Sequence, residues 1–238
     1  MLARFLPRAP DAVDGNDVDA PPGPASAGRG NALALLTSRN VGLLLAGNAV
    51  FGAALWTLRN WLPTFFSTEA GVDAARAGIY GATAFNAAAF VGMLIAGRVS
   101  DRWSARTRRA RVLVPAIASC LAAPMLFAMG SSTGLGVLMG GVLLAGMAQG
   151  ALDANLMPAL CTIAPPWLRS TGYGLLNLAG TLAGGLMTYV GGRLKDANVP
   201  FHTTFQMSAG LVIVAGMLFA AVRPAKTESH EPRRGGGM

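Results

Sequence analysis

The sequence predicts an all-α membrane protein with six transmembrane helices and both termini on the cytoplasmic side. Three observations carry that expectation. Of the 238 residues, 53% are hydrophobic and only 13% charged, against about 25% charged in an ordinary soluble domain. The apolar residues gather into six stretches, each near the ~20 residues that a helix needs to cross a bilayer. The cations sit in the loops between those stretches, where basic residues fix orientation.

The elements follow in order. Residues 1–40 are rich in Pro, Ala, Gly and Asp, a composition that favours a flexible polar segment. They hold no apolar core of the kind a signal peptide needs. Residues 41–222 form the membrane domain. Its first span, Val41–Phe66, ends in Asn60-Trp61-Leu62-Pro63-Thr64-Phe65-Phe66. The second is Ala77–Ile95 and the third Val112–Met129. The fourth, Leu135–Thr162, is long enough to tilt or to continue past the bilayer. The fifth is Thr171–Gly191 and the sixth Phe205–Val222. Residues 223–238 read as a disordered cytoplasmic tail. The runs are continuous and too long for membrane strands, and a helix satisfies its own backbone in lipid.

Orientation follows from the cations. Arg29 and Arg39 precede the first span. Arg98, Arg102, Arg106, Arg108, Arg109 and Arg111 lie between the second and third, and Arg169 lies between the fourth and fifth. Arg223, Lys226, Arg233 and Arg234 follow the sixth. With six spans all of these share one side, which the positive-inside rule makes cytoplasmic. The opposite loops hold Glu69 and Asp73, or no charge at all in Gly130–Gly134. Arg193 and Lys195 are the mild exception. The expected location is the inner (plasma) membrane, with multiple passes.

Other classes are disfavoured. The net charge of +8 comes from these loops and does not indicate nucleic-acid binding. Cys120 and Cys161 lie in or beside apolar runs and imply neither zinc nor a disulfide framework. His202 and His230 have no triad or metal-ligand spacing, and no phosphate-binding glycine loop is present. Neither cofactor nor metal is expected, and the chain does not read as an enzyme. Gly180-x-x-x-Gly184-Gly185 and Gly136-x-x-x-Gly140-Gly141 have the spacing that lets membrane helices approach closely.

After the second span comes Gly97-Arg98-Val99-Ser100-Asp101-Arg102-Trp103-Ser104-Ala105-Arg106-Thr107-Arg108-Arg109. Gly97, Asp101, Arg102 and Arg106 resemble the loop motif of the major facilitator superfamily, Gly-x-x-x-Asp-Arg/Lys-x-Gly-Arg-Arg/Lys, with Ser104 where the family has its second glycine. The fourth span reads Gly146-Met147-Ala148-Gln149-Gly150 where the family's first half carries Arg-x-x-Gln-Gly, and the fifth lacks that half's Gly-Pro pair. The resemblance, over Leu43 to Pro224, is therefore to the C-terminal six-helix half, with residues 1–40 similar to the central loop. It implies ion-coupled alternating access to a small solute, such as an organic anion, in a lipid bilayer. It also implies a missing second half or self-association. The alternative is a six-helix scaffold or accessory subunit that does not transport.

The resemblance makes Asp101 a gate latch; as plain charge, the same segment only sets topology. Arg59, in the outer third of the first span, either anchors a substrate carboxylate or phosphate or snorkels to the interface beside Trp56 and Trp61. Asp153 either couples protons, pairs with Arg59, or lies at the cytoplasmic mouth. Asn60, Asn86, Gln149 and Asn177 complete the candidate substrate-binding set, each either lining a cavity or joining helices.

Overall fold

The computed structural model describes residues 37–68, 73–131 and 134–223. Most of the expected N-terminal segment and tail, with Arg29, Glu69, Lys226, His230, Arg233 and Arg234, lies outside the described residues. Those described are helical and contain no strand. The helices are α1 (Arg39–Thr68), α2 (Ala74–Ser104), α3 (Ala110–Met129), α4 (Leu135–Cys161), α5 (Arg169–Asp196) and α6 (Phe201–Ala221), with a 3-10 turn at Pro166–Leu168. Each expected span falls within one helix. Five of them (α1, α2, α3, α4 and α6) are long and apolar enough to cross a membrane. The exception is α5, which carries Tyr173, Asn177, Thr181 and Thr188 among its glycines and ends in Arg193, Lys195 and Asp196.

Local chemistry sets the helix ends. Pro165 and Pro166 precede α5, and Pro200 directly precedes α6, positions where a missing N–H costs nothing. Asn198, at φ 57°, turns the chain out of α5; asparagine tolerates this left-handed region better than most residues. One boundary differs from the sequence reading. The second helix does not stop at Ile95 but runs nine residues further, to Ser104. Gly97, Asp101 and Arg102 are therefore helical, and the connection to α3 is only residues 105–109. Arginine is a good helix former, so a basic run beside a span extends the helix into the interface.

The packing has internal symmetry. The closest pairs are α1 with α5 and α2 with α4; α3 packs on α4 as α1 packs on α6, and α3 meets α6. Exchanging α1, α2 and α3 for α4, α5 and α6 maps this pattern onto itself. It is the pattern of two three-helix repeats. The core lies mainly between α1 and its neighbours. Phe51 of α1 packs on Phe219 of α6, with ring centroids 6.3 Å apart. Phe65 meets Phe205 edge-on at 4.7 Å, a geometry aromatic rings favour.

The two closest pairs are made by glycine. A Cβ at Gly92 would lie 2.5 Å from the Met147 carbonyl oxygen, and one at Gly146 2.5 Å from that of Phe85. A Cβ at Gly150 would collide with the carbonyl oxygen of Ala89. Across α1 and α5, a Cβ at Gly52 would lie 2.6 Å from the Gly180 carbonyl oxygen, and Gly184 faces the Trp56 ring. Lipid supplies no hydrophobic drive between helices, so such backbone approach is what holds them. Of the glycines picked out by spacing, Gly180 and Gly184 make this contact. Gly185 and Gly136 face open space, and Gly140 and Gly141 meet chiefly the side chains of Met125 and Met129.

Gly150→Ala is therefore expected to destabilise the bundle by about 1–3 kcal/mol, the usual cost of overpacking. Gly210→Ala, with nothing within 4 Å of the added methyl, is expected to be neutral or to stabilise by about 0.5–1 kcal/mol. Unfolding midpoints of the two variants in detergent would separate them, and equal midpoints would refute the close approach.

Candidate functional site

The glycine contacts also set the depth of the polar residues. Gly81 of α2 lies against Leu62 and Phe66 of α1. Asn86 is five residues further along α2, about 7 Å at 1.5 Å per residue, which brings it level with Arg59. Gly146 and Gly150 lie against Phe85 and Ala89, so Gln149 lies about one turn beyond that level and Asp153 about two. Arg59, Asn86, Gln149 and Asp153 thus occupy a band about two turns deep, near the middle of α2 and α4.

Within that band the side chains are organised. Gln149 Nε2 donates to Asp153 Oδ1 at 2.9 Å. The Arg59 guanidinium stands over the Trp56 ring, 5.4 Å from its centroid, and Trp56 in turn covers Gly184 of α5. Arg59 and Asp153 form no direct ion pair. Both are exposed. The band thus holds one exposed charge of each sign among apolar helices, an arrangement that can take a charged solute. Asn86 is exposed as well and donates to its own helix at Ala82, 2.8 Å.

Two candidate residues do not join this cluster. Asn60 donates to Thr188 Oγ1 at 3.1 Å and so ties α1 to α5. Asn177 donates to the Tyr173 carbonyl at 3.0 Å. It is next to Leu176, whose carbonyl accepts from Asn48 at 2.6 Å. That places Asn177 level with Asn48, eleven residues along α1 from Arg59 and about 16 Å away. Asn48 itself was not picked out from the sequence. It is a lone amide in an otherwise apolar run, and it is buried between α1 and α5. Asn155 is buried too and donates to Ala151, so it faces the core and not the open surface.

The basic segment forms a second site at the end of the bundle. Asp101 accepts from Arg111, in the first turn of α3, at 2.7 Å. Asp101 sits in the last turn of α2, where the helix dipole disfavours an acid. Arg111 compensates for this. The pair is solvent-exposed, Asp101 by 67%, so its strength is about 0–1 kcal/mol. Gly97 faces open space. Arg102 and Arg106 are exposed, and their side chains hold no hydrogen bond or ion pair among the described residues.

Other arginines cap helix ends. Arg109 donates to the Ala220 carbonyl at the end of α6, 2.7 Å, and Arg169 to the Cys161 carbonyl at the end of α4, 3.1 Å. The Arg223 backbone N–H donates to Asn40 Oδ1 at the start of α1. Cations at helix C-termini are favoured by the exposed carbonyls there. These contacts gather the start of α1, the ends of α4 and α6 and the α2–α3 connection at one end of the bundle.

No curated protein matches the sequence. A family model described as Major Facilitator Superfamily matches residues 44–237, most of the chain and all six helices from within the first turns of α1. Its helical, multi-pass architecture agrees with that match, and the chain belongs to the major facilitator superfamily of membrane transporters.

Proposed function

We propose that this chain forms one six-helix wall of an ion-coupled permease that moves a small organic anion by alternating access. The observation that carries this reading is the band of Arg59, Asn86, Gln149 and Asp153 at mid-depth on an open face. Charges placed within a span are costly and usually serve a solute or ion pathway, and binding sites in such folds lie near the midplane between two halves. In this reading Arg59 anchors the solute's anionic group, Asp153 carries the coupling proton, and Asn86 and Gln149 supply hydrogen bonds.

Six spans follow if α5 is counted with the other five. Its glycines meet α1 from Asn48 to Trp61, so it runs beside a qualifying span over most of its length. With the basic loops at one end, the positive-inside rule makes that end, and both termini, cytoplasmic in the inner (plasma) membrane. The opposite wall comes from a second six-helix bundle, either a separate half or a second copy. Exposed apolar side chains on α2 and α5, such as Phe90 at 62% and Leu182 at 63%, suit such a neighbour. Asp101 and Arg111 then act as a latch. A pair this weak works only by biasing two nearly balanced states.

Three outcomes test this reading in vesicles containing the chain and its partner bundle. Arg59→Ala weakens anion binding roughly 10- to 100-fold, the loss of a charge-assisted contact; unchanged affinity refutes the anchor. Asp153→Asn makes uptake insensitive to an imposed pH gradient, and a full gradient response in that variant excludes proton coupling through this residue. Asp101→Asn shifts the balance between inward- and outward-open states and changes the transport rate several-fold, whereas an unaltered rate removes the latch.

A further inference from the structure

Outside the polar band, an apolar groove of about 210 Å³ lies between α2, α3 and α4. Gly92, Ile95, Val99 and Trp103 form its α2 wall, and Ile117 and Leu121 its α3 wall. The wall is well exposed: Ile95 is 49% and Leu121 66% accessible. The groove exists because α2 is held tightly to α4 by Gly92, Gly146 and Gly150 but touches α3 only lightly.

Its length and its rim are informative. From Gly92 to Trp103 is eleven residues, about 16 Å of helix. That is close to half of a ~30 Å hydrocarbon core, the depth of one leaflet. The groove ends at a half-buried tryptophan, a residue that favours the headgroup level. Cations stand around that end. Arg102 lies three residues beyond Val99 on the same face of α2, and Arg106 follows Trp103, with its backbone N–H bonded to the Trp103 carbonyl. Arg111 precedes Val114 and Ala118 of the α3 wall by three and seven residues, which places it on their face. Arg111 is engaged by Asp101, while the side chains of Arg102 and Arg106 hold no partner among the described residues.

We propose that this groove binds one anionic phospholipid, its acyl chain along Ile95, Val99, Ile117 and Leu121 and its phosphate between Arg102 and Arg106. An apolar trough one leaflet deep with unpaired guanidinium groups at its mouth matches the two ends of that molecule. Each basic group near the membrane surface favours an anionic lipid by about fivefold. The proposal rests on the chain spanning a bilayer and not on the transport reading, so it survives if the solute assignment fails. It also places a lipid phosphate next to the Asp101–Arg111 pair, where it would compete with Asp101 for Arg111.

The test is native mass spectrometry of the full chain, released from micelles with equal amounts of phosphatidylglycerol and phosphatidylcholine of identical acyl chains. The wild-type chain should retain one phosphatidylglycerol in preference to phosphatidylcholine by roughly fivefold or more. Arg102→Gln with Arg106→Gln should bring that ratio near one, and Ala118→Phe, which fills the groove, should lose both lipids. Equal retention of the two lipids by the wild type would overturn the proposal. So would undiminished retention by Ala118→Phe, or a lipid-free dimer. A second readout uses Trp103 itself. Phosphatidylglycerol brominated on its acyl chain should quench Trp103, seen as fluorescence loss absent from Trp103→Phe; no such difference would equally overturn the assignment.

Discussion

Backbone-to-backbone contact through glycine is the constraint on which the rest of this structure depends. In water, α2 and α4 would be driven together by burying apolar area, but in lipid that drive is missing. Gly92, Gly146 and Gly150 let the two helices meet at carbonyl distance, and Gly52 and Gly180 do the same for α1 and α5, where Gly184 makes room for the Trp56 ring. These contacts fix the relative depth of the helices. Depth in turn decides which polar residues share a level, and so the candidate site is set by packing more than by its own hydrogen bonds.

The same constraint explains the shape of the exposed faces. Helices α2 and α5 are each committed mainly to one partner, and much of their remaining surface is apolar and open. On one side this leaves the face that holds Arg59 and Asp153. On the other it leaves the groove between α2 and α3. The inner helices α1 and α4 carry both Arg59 and Asp153 and many of the core contacts.

Much of this was legible in the sequence, for identifiable reasons. Six apolar runs became six helices because a hydrophobic stretch of that length has few other folded solutions in lipid. The small-residue spacing found Gly180 and Gly184 but passed over Gly146 and Gly150, which have the same four-residue separation and make the tighter contact. The end of α2 was misplaced because charge marks where a helix leaves the hydrocarbon and not where it stops. Arg59, Asn86, Gln149 and Asp153 could be named singly, but their common band depends on inter-helix register, which a single sequence does not encode. Asn60 and Asn177 look the same in sequence and prove to face α5 and a different depth.

The central claim is that the mid-depth polar band faces water and the groove faces lipid. Single cysteines placed in a chain whose Cys120 and Cys161 are replaced by serine test it most directly, through reaction with a membrane-impermeant thiol reagent in vesicles. Asn86→Cys and Gln149→Cys are predicted to be modified rapidly, and Leu121→Cys, in the groove, to remain unmodified. Protection of Asn86→Cys and Gln149→Cys to the level of Leu121→Cys would contradict the account.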